Sequence, residues 1–190
     1  MTKYILHGGL TRKDNESNRA FYKELVRDVP DGSTILLVYF ASREQDNSEK
    51  FKENVEGIQN QSGGKNFSFL MATHATFLDQ IKQSGALYFG GGSTNKLVDV
   101  LRTYPDLKPL VEGKTVAGSS AGTYALARFG PSHDEEKVRE GLGLVPVRVI
   151  CHYESPDLPP NEKAVSLLQK TAPELELVPL RDFEWRMFNF

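Results

Sequence analysis

The chain has 190 residues, 39% hydrophobic and 25% charged, with a formal net charge of −2. This is the profile of an ordinary folded domain, and it excludes the clustered basic excess of a nucleic-acid binder. No apolar run is long enough to span a membrane, and a single cysteine, Cys151, excludes an internal disulfide and a thiolate metal cluster.

The start, "MTKYILHGGL", runs directly into a short strand-like segment. It has no long apolar leader and no small-residue cleavage site, so a cytoplasmic protein is expected. "YILHG" is the first strand. In "NESNRAFYKELVRDV", Ala20, Phe21, Leu25 and Val26 recur at helical spacing, which gives one apolar face. "STILLVYFA" (33–41) is too short for a bundle helix and rich in strand formers. "SEKFKENVEGIQNQ" repeats the helical register through Phe51, Val55 and Ile58, and "NQSGGKN" (60–66) is a surface turn. Further strands are predicted in "FSFLMAT" (67–73), "ALYFGG" (86–91), "TVAGS" (115–119) and "VRVICHY" (147–153). "STNKLVDVLRTY" and "NEKAVSLLQKTA" follow two of them as helices, with Ser93 and Asn161 as N-caps.

Alternation of apolar strands with amphipathic helices predicts an α/β fold. We expect one catalytic domain over residues 1–190, a three-layer sandwich with a mainly parallel sheet and helices on both faces. In such sheets ligands bind beyond the carboxyl ends of the strands. Glycines gather there: Gly8 and Gly9, Gly90 to Gly92, and Gly118 with Gly122. Sharp turns need permissive backbones, but three clusters at one rim also favour close approach of main-chain amides to a bound group.

Two motifs fail on inspection. "EGKT" (112–115) lacks the earlier glycine of a phosphate-binding loop, since position 108 is Lys108, and it precedes a strand. "GLGLVP" has Pro146 where a dinucleotide fingerprint wants its last glycine. His7, His74, His133 and His152 are too scattered in the sequence to suggest zinc. No metal or cofactor is expected.

Gly118-Ser119-Ser120-Ala121-Gly122 fits G-x-S-x-G with Ser120 at the centre. A serine hydroxyl is a weak nucleophile until a base takes its proton. A strand-to-helix turn would lift Ser120 toward such a base and set the Ala121 amide at a helix start, where an oxyanion is stabilised. Ser119 lies on the approach and takes a structural role. The best-placed histidine is His152, at a strand end on the same rim. Cys151 precedes it on an extended run, so its side chain should face the other way and act as a small buried group.

Four ordered blocks, "YFGGGSTNKL", "AGSSAGTYALA", "GLGLVPVRVICHY" and "APELELVPLRDFEW", resemble the peptidase E and cyanophycinase family of serine peptidases. The resemblance implies a class I glutamine-amidotransferase-like, flavodoxin-like fold and hydrolysis of short peptides or peptide-like polymers. It implies Ser120 as nucleophile, His152 as general base, and the amides of Gly92 and Ala121 as the oxyanion hole. It places Asp182 at the position of the orienting acid, with Glu184 and Glu135 as rivals. Peptidase E relatives prefer dipeptides that begin with aspartate and need a cation for that side chain. Here Asn161 falls where that cation is sought, with Lys163 and Arg181 as substitutes, and Ser93 replaces the asparagine usual after the glycine triplet. Gly91, Ser93 and Asn161 are the expected substrate contacts. The chain also stops short of closing strands that many relatives carry, which would leave one wall open or supplied by another subunit.

The leading reading is therefore a serine peptidase, with a dipeptidase as its narrower form, acting on a small peptide through an acyl-enzyme. A binding protein that has lost catalysis, and an amidase or esterase on a non-peptide acyl group, stay open beside it. No nucleic-acid or membrane partner is expected. A homodimer would cover the aromatic-rich end, "FEWRMFNF", which could equally pack on the chain's own helices.

Overall fold

The computed structural model describes all 190 residues. In chain order the elements are β1 (Lys3–His7), α1 (Glu16–Val26), β2 (Thr34–Val38), α2 (Ser48–Asn60), β3 (Ser68–Met71), α3 (Phe77–Gln83), β4 (Ser84–Phe89) and α4 (Thr94–Arg102). They continue with α5 (Leu107–Val111), β5 (Thr115–Ser119), α6 (Ala121–Leu126), β6 (Ala127–Pro131), β7 (Val138–Glu140), β8 (Val145–Ile150), α7 (Glu162–Lys170), β9 (Glu176–Pro179) and β10 (Trp185–Asn189).

Six strands form one sheet in the order β10-β1-β5-β4-β2-β3. All its pairings are parallel except that of β10 with β1. The central strands are buried on both faces, and alternation sorts their side chains. Ile5, Ile35, Leu37, Tyr88 and Ala117 pack with Phe21, Tyr22, Leu25 and Ile58 of α1 and α2. Tyr4, Leu6, Leu36, Val38, Leu87, Phe89 and Val116 face the other way, toward α4 and α6. That second core runs on into Val145, Val147, Val149 and Val178.

Those valines belong to a separate four-stranded sheet, β7-β6-β8-β9. The sequence suggests a single sheet, because β8 reads like the other apolar strands. Its neighbours carry no such signal. "ARFGP" of β6 holds a glycine and a proline, "VRE" of β7 has three residues, and β9 is short and half exposed. Pairing, of β6 and β9 with β8 and of β7 with β6, rather than local propensity, makes them strands. The terminal aromatics divide in the same way: Trp185 packs on the α1/α2 core and Phe188 on the other. Phe190 stays 54% exposed, and β10 is an edge strand.

The carboxyl ends of the strands meet at one rim. His7 of β1 pairs in register with Ser119 of β5, and Phe89 of β4 with Gly118. Gly8, Gly90 and Ser120 therefore leave the sheet side by side. The second sheet and the segment after it join them through main-chain bonds, His152 N–H to the Gly8 carbonyl at 3.2 Å and Phe183 N–H to the Gly9 carbonyl at 3.2 Å.

Candidate active site

Ser120 sits between β5 and α6 at φ 51° and ψ −108°, a conformation that costs a non-glycine residue about 1–3 kcal/mol. The surroundings enforce it. Ser120 N–H donates to the His7 carbonyl at 3.1 Å, and the Ser120 carbonyl accepts from Tyr124 N–H at 3.0 Å. The flanking glycines have a packing reason. A Cβ on Gly118 would lie 2.5 Å from the Gly122 carbonyl carbon, and one on Gly122 would strike the Phe89 carbonyl. The small residues of the pentapeptide thus let helix, turn and strand close on one another, and the serine hydroxyl is left pointing outward.

His152 follows β8, also with positive φ at 54°. Its Nε2 lies 3.0 Å from Ser120 Oγ, and its Nδ1 lies 2.5 Å from Asp182 Oδ1. Nδ1–H donating to the carboxylate leaves Nε2 free to accept the serine proton. The ring is 95% buried together with its backbone and the Asp182 side chain is 13% exposed, so the pair is largely shielded from water. Such an arrangement can activate a hydroxyl as a nucleophile and hold the charge that forms on the imidazole.

Of the three candidate acids, only Asp182 reaches His152. Glu184 folds back to accept from Arg181 N–H at 2.9 Å. Glu135 pairs with Lys137 and Arg139 at 3.0 and 3.1 Å. Cys151 is fully buried, and burial pushes its thiol well above the ordinary range, so it is an inert neighbour.

The glycine triplet faces the serine. A Cβ on Gly91 would lie 3.5 Å from Ser120 Cβ. Gly90 N–H is bonded to the Val38 carbonyl and Ser93 N–H to the Ala41 carbonyl, while the amides of Gly91 and Gly92 have no acceptor in the protein. Ala121 is the first residue of α6, so its amide has no intrahelical acceptor.

Two open cavities flank the Ser120–His152 pair. One, of about 360 Å³, is lined by Arg12, Lys13, Glu44 and Lys50 above a floor of Tyr39 and Tyr88. The other, of about 480 Å³, lies against Arg43, Ser93, His133, Asp134 and Arg139. Leu158 borders both. Asn161 borders neither: it caps α7, its Oδ1 accepting from Ala164 N–H at 3.1 Å. Lys163 and Arg181 are paired with Glu136 and Glu154 on the exposed surface. The cations near the serine come from the loop after β1 and from α2 on the side of the smaller cavity, and from Arg43 after β2 and Arg139 of β7 on the other.

Several residues of the site carry no sequence motif. His7 is fully buried. Asn18 donates through Nδ2 to the Leu10 and Lys13 carbonyls, so its Oδ1 must accept from His7 Nε2–H at 2.9 Å. Gly9 N–H donates to His7 Nδ1 at 3.0 Å. This fixes a neutral ring, and burial, reinforced by His152, pushes its pKa down to about 4. His7 thereby holds Gly9 (φ 141°) against His152, so close that a Cβ on Gly9 would strike the imidazole. The adjacent glycines after β1 were the legible hint. Ser155, whose hydroxyl reaches Asp182, had none beyond its nearness to His152.

An α/β fold with a serine on a strand-to-helix turn beside an imidazole and a carboxylate defines the class of a serine hydrolase. The family model described as peptidase family S51 matches residues 4–188. The chain belongs to this family and is a serine-type peptidase. A search of curated proteins gives no match. Among solved structures, a peptidase from an acI-B1 Actinobacterium aligns with TM-score 0.71 and 20% identity, covering 100% of this chain and 84% of that one. A putative peptidase E protein from Listeria monocytogenes EGD-e aligns with TM-score 0.64 and 15% identity, covering 99% of this chain and 94% of that one. At these identities the likeness is one of fold.

Proposed function

We propose that the protein hydrolyses short peptides through an acyl-enzyme on Ser120. The observation that carries this reading is the His152 ring, bonded at one nitrogen to Ser120 Oγ (3.0 Å) and at the other to Asp182 (2.5 Å). Ser120 Oγ attacks the scissile carbonyl as its proton passes to His152 Nε2. Asp182 keeps the imidazole in the required tautomer and balances the imidazolium. The oxyanion is held by the main-chain amides of Gly92 and Ala121, with Gly91 beside them. His152 then protonates the leaving amine, and a water deprotonated by the same nitrogen releases the acid.

Two cavities of this size suit the two ends of a small substrate. Around the smaller one Arg12 is paired with Glu53 and Lys50 with Glu44, and Lys13, which has no carboxylate partner, supports an acidic side chain on the acyl side. A panel of dipeptides with aspartate, leucine or lysine at the first position tests the preference, with aspartate expected to be cleaved fastest. Ser120→Ala is expected to lower kcat by about 10⁴-fold or more, and a fluorophosphonate probe to label Ser120 alone. A folded protein that resists the probe would point to a binding role, and cleavage of esters but not peptides to a different acyl substrate.

A further inference from the structure

His152 and Asp182 are joined by a third group. The Ser155 hydroxyl lies 2.6 Å from Asp182 Oδ2, the carboxylate oxygen that does not face the imidazole. Ser155 is 6% exposed, and its own N–H donates to the His152 carbonyl at 3.0 Å. Leu158 N–H donates to Ser155 Oγ at 3.2 Å. A hydroxyl has one proton. With Leu158 as donor to its lone pair, that proton has Asp182 as its acceptor, so the direction of the bond is fixed.

The chemistry explains why such a bond matters. The terminal torsion of an aspartate is broad, and a carboxylate held through one oxygen can swing. Held through both, it keeps Oδ1 in line with His152 Nδ1–H. We propose that Ser155 is a positioning residue of this site, extending the chain Ser120–His152–Asp182 by one member. The same hydroxyl seats the turn that carries Leu158, the apolar side chain, 47% exposed, that borders both cavities. One buried group therefore sets both the orientation of the acid and the wall against which a substrate rests. This rests on the reading that Ser120, His152 and Asp182 do the chemistry.

The test compares Ser155→Ala, Ser155→Thr and Leu158→Ala by steady-state kinetics on a cleaved dipeptide, beside Ser120→Ala. Ser155→Ala is expected to lower kcat about 10- to 100-fold, the scale at which loss of a supporting partner acts on a site, with KM little changed. The rate of fluorophosphonate labelling should fall in step. Ser155→Thr, which keeps the hydroxyl, should recover most of the loss. The proton NMR signal of the His152–Asp182 bond should broaden in the alanine variant and persist in the threonine one. Leu158→Ala should raise KM more than it lowers kcat. If the alanine variant does not fold, Ser155→Cys keeps the volume with a weaker donor and should lose part of kcat. A Ser155→Ala enzyme with the parent kcat and the parent proton signal overturns the proposal while a dead Ser120→Ala leaves the mechanism standing. An active Ser120→Ala removes the mechanism, and the proposal with it.

Discussion

The two ends of β1 show how differently one strand can be used. At its amino end, Lys3 is buried and satisfied, its Nζ 2.8 Å from the Glu24 carbonyl, 3.2 Å from Glu24 Oε1 and 2.8 Å from Asp28 Oδ2. Lys3 holds the Asp28 carboxyl below its usual range. Neither Thr2 nor Lys3 has a positive φ. At the carboxyl end stand a buried neutral histidine, a glycine at φ 141°, and two neighbouring residues, Ser120 and His152, with positive φ. Strain and unpaired amides are concentrated where a substrate can use them, which is the usual location of stored backbone strain.

The comparison predicts that substitutions at the carboxyl end reduce activity more than stability. The largest effect outside the reacting groups is expected for Gly9→Ala. Its methyl would push His152 away from Ser120, and its φ disfavours any side chain. A displacement on the order of 1 Å is enough for about a 10²-fold loss in kcat, with about 1–3 kcal/mol of stability lost alongside. Retention of the parent kcat would mean that the contact between the turn after β1 and His152 has no catalytic weight.

His7 connects this rim to pH. Its pKa falls to about 4 in the folded protein against an ordinary value of 6.5. Above 6.5 both folded and unfolded chains carry a neutral ring. As pH drops below that, the unfolded chain takes up a proton that the folded one refuses, so stability is lost until about pH 4. At pH 5 the loss from this group is about 2 kcal/mol relative to pH 7. In urea denaturation, His7→Gln should start less stable at pH 7, having lost two hydrogen bonds, yet lose less than the parent between pH 7 and 5. Parallel losses in the two proteins would show that His7 is not the buried neutral base of the rim.

At the opposite end, Lys3→Met should reverse the pattern. Removing the ammonium strands Asp28, which is well hydrated, and leaves Glu24 with Arg27 at 2.8 Å. A loss of about 1–2 kcal/mol is expected, with kcat unchanged. A fall in kcat beyond about twofold would mean that the two ends of β1 are coupled, against the independence expected of sites so far apart in packing.

How much of this was legible follows from what each signal measures. Continuous apolar runs revealed the central parallel strands, because burial on both faces leaves them no alternation to hide in. The same signal could not separate β8 into a second sheet, and it missed β6, β7 and β9, whose stability comes from pairing. Ser120 and His152 stood out because motif and order pointed to them. His7 and Ser155 did not, because their roles depend on contacts across the rim, and Gly9 showed only as one of a glycine pair. Asn161, read both as a cap and as a substrate contact, caps α7 and borders neither cavity beside Ser120. Arg12, Lys13 and Lys50, which line the smaller cavity, come from a loop and a helix far away in sequence.

The choice among the acids gives the smallest predicted effects and the sharpest contrast in side-chain placement. Asp182, Glu184 and Glu135 are chemically alike, and sequence register could slip by two residues between the first two. Geometry separates them: Asp182 faces His152, Glu184 closes a turn onto Arg181 N–H, and Glu135 braces Lys137 and Arg139 at the surface. An exposed ion pair contributes about 0–1 kcal/mol, so Glu135→Gln should change kcat by less than about twofold and leave the melting temperature nearly unaltered. Glu184→Gln keeps an oxygen that can accept from Arg181 N–H, so its effect should be as small. Asp182→Asn leaves the shape but supplies the wrong hydrogen-bonding partner for Nδ1–H, and should lower kcat by about 10⁴-fold. If Glu184→Gln or Glu135→Gln proved as damaging as Asp182→Asn, the acid that serves His152 in the working enzyme would have to be a different one from the carboxylate that touches it at rest.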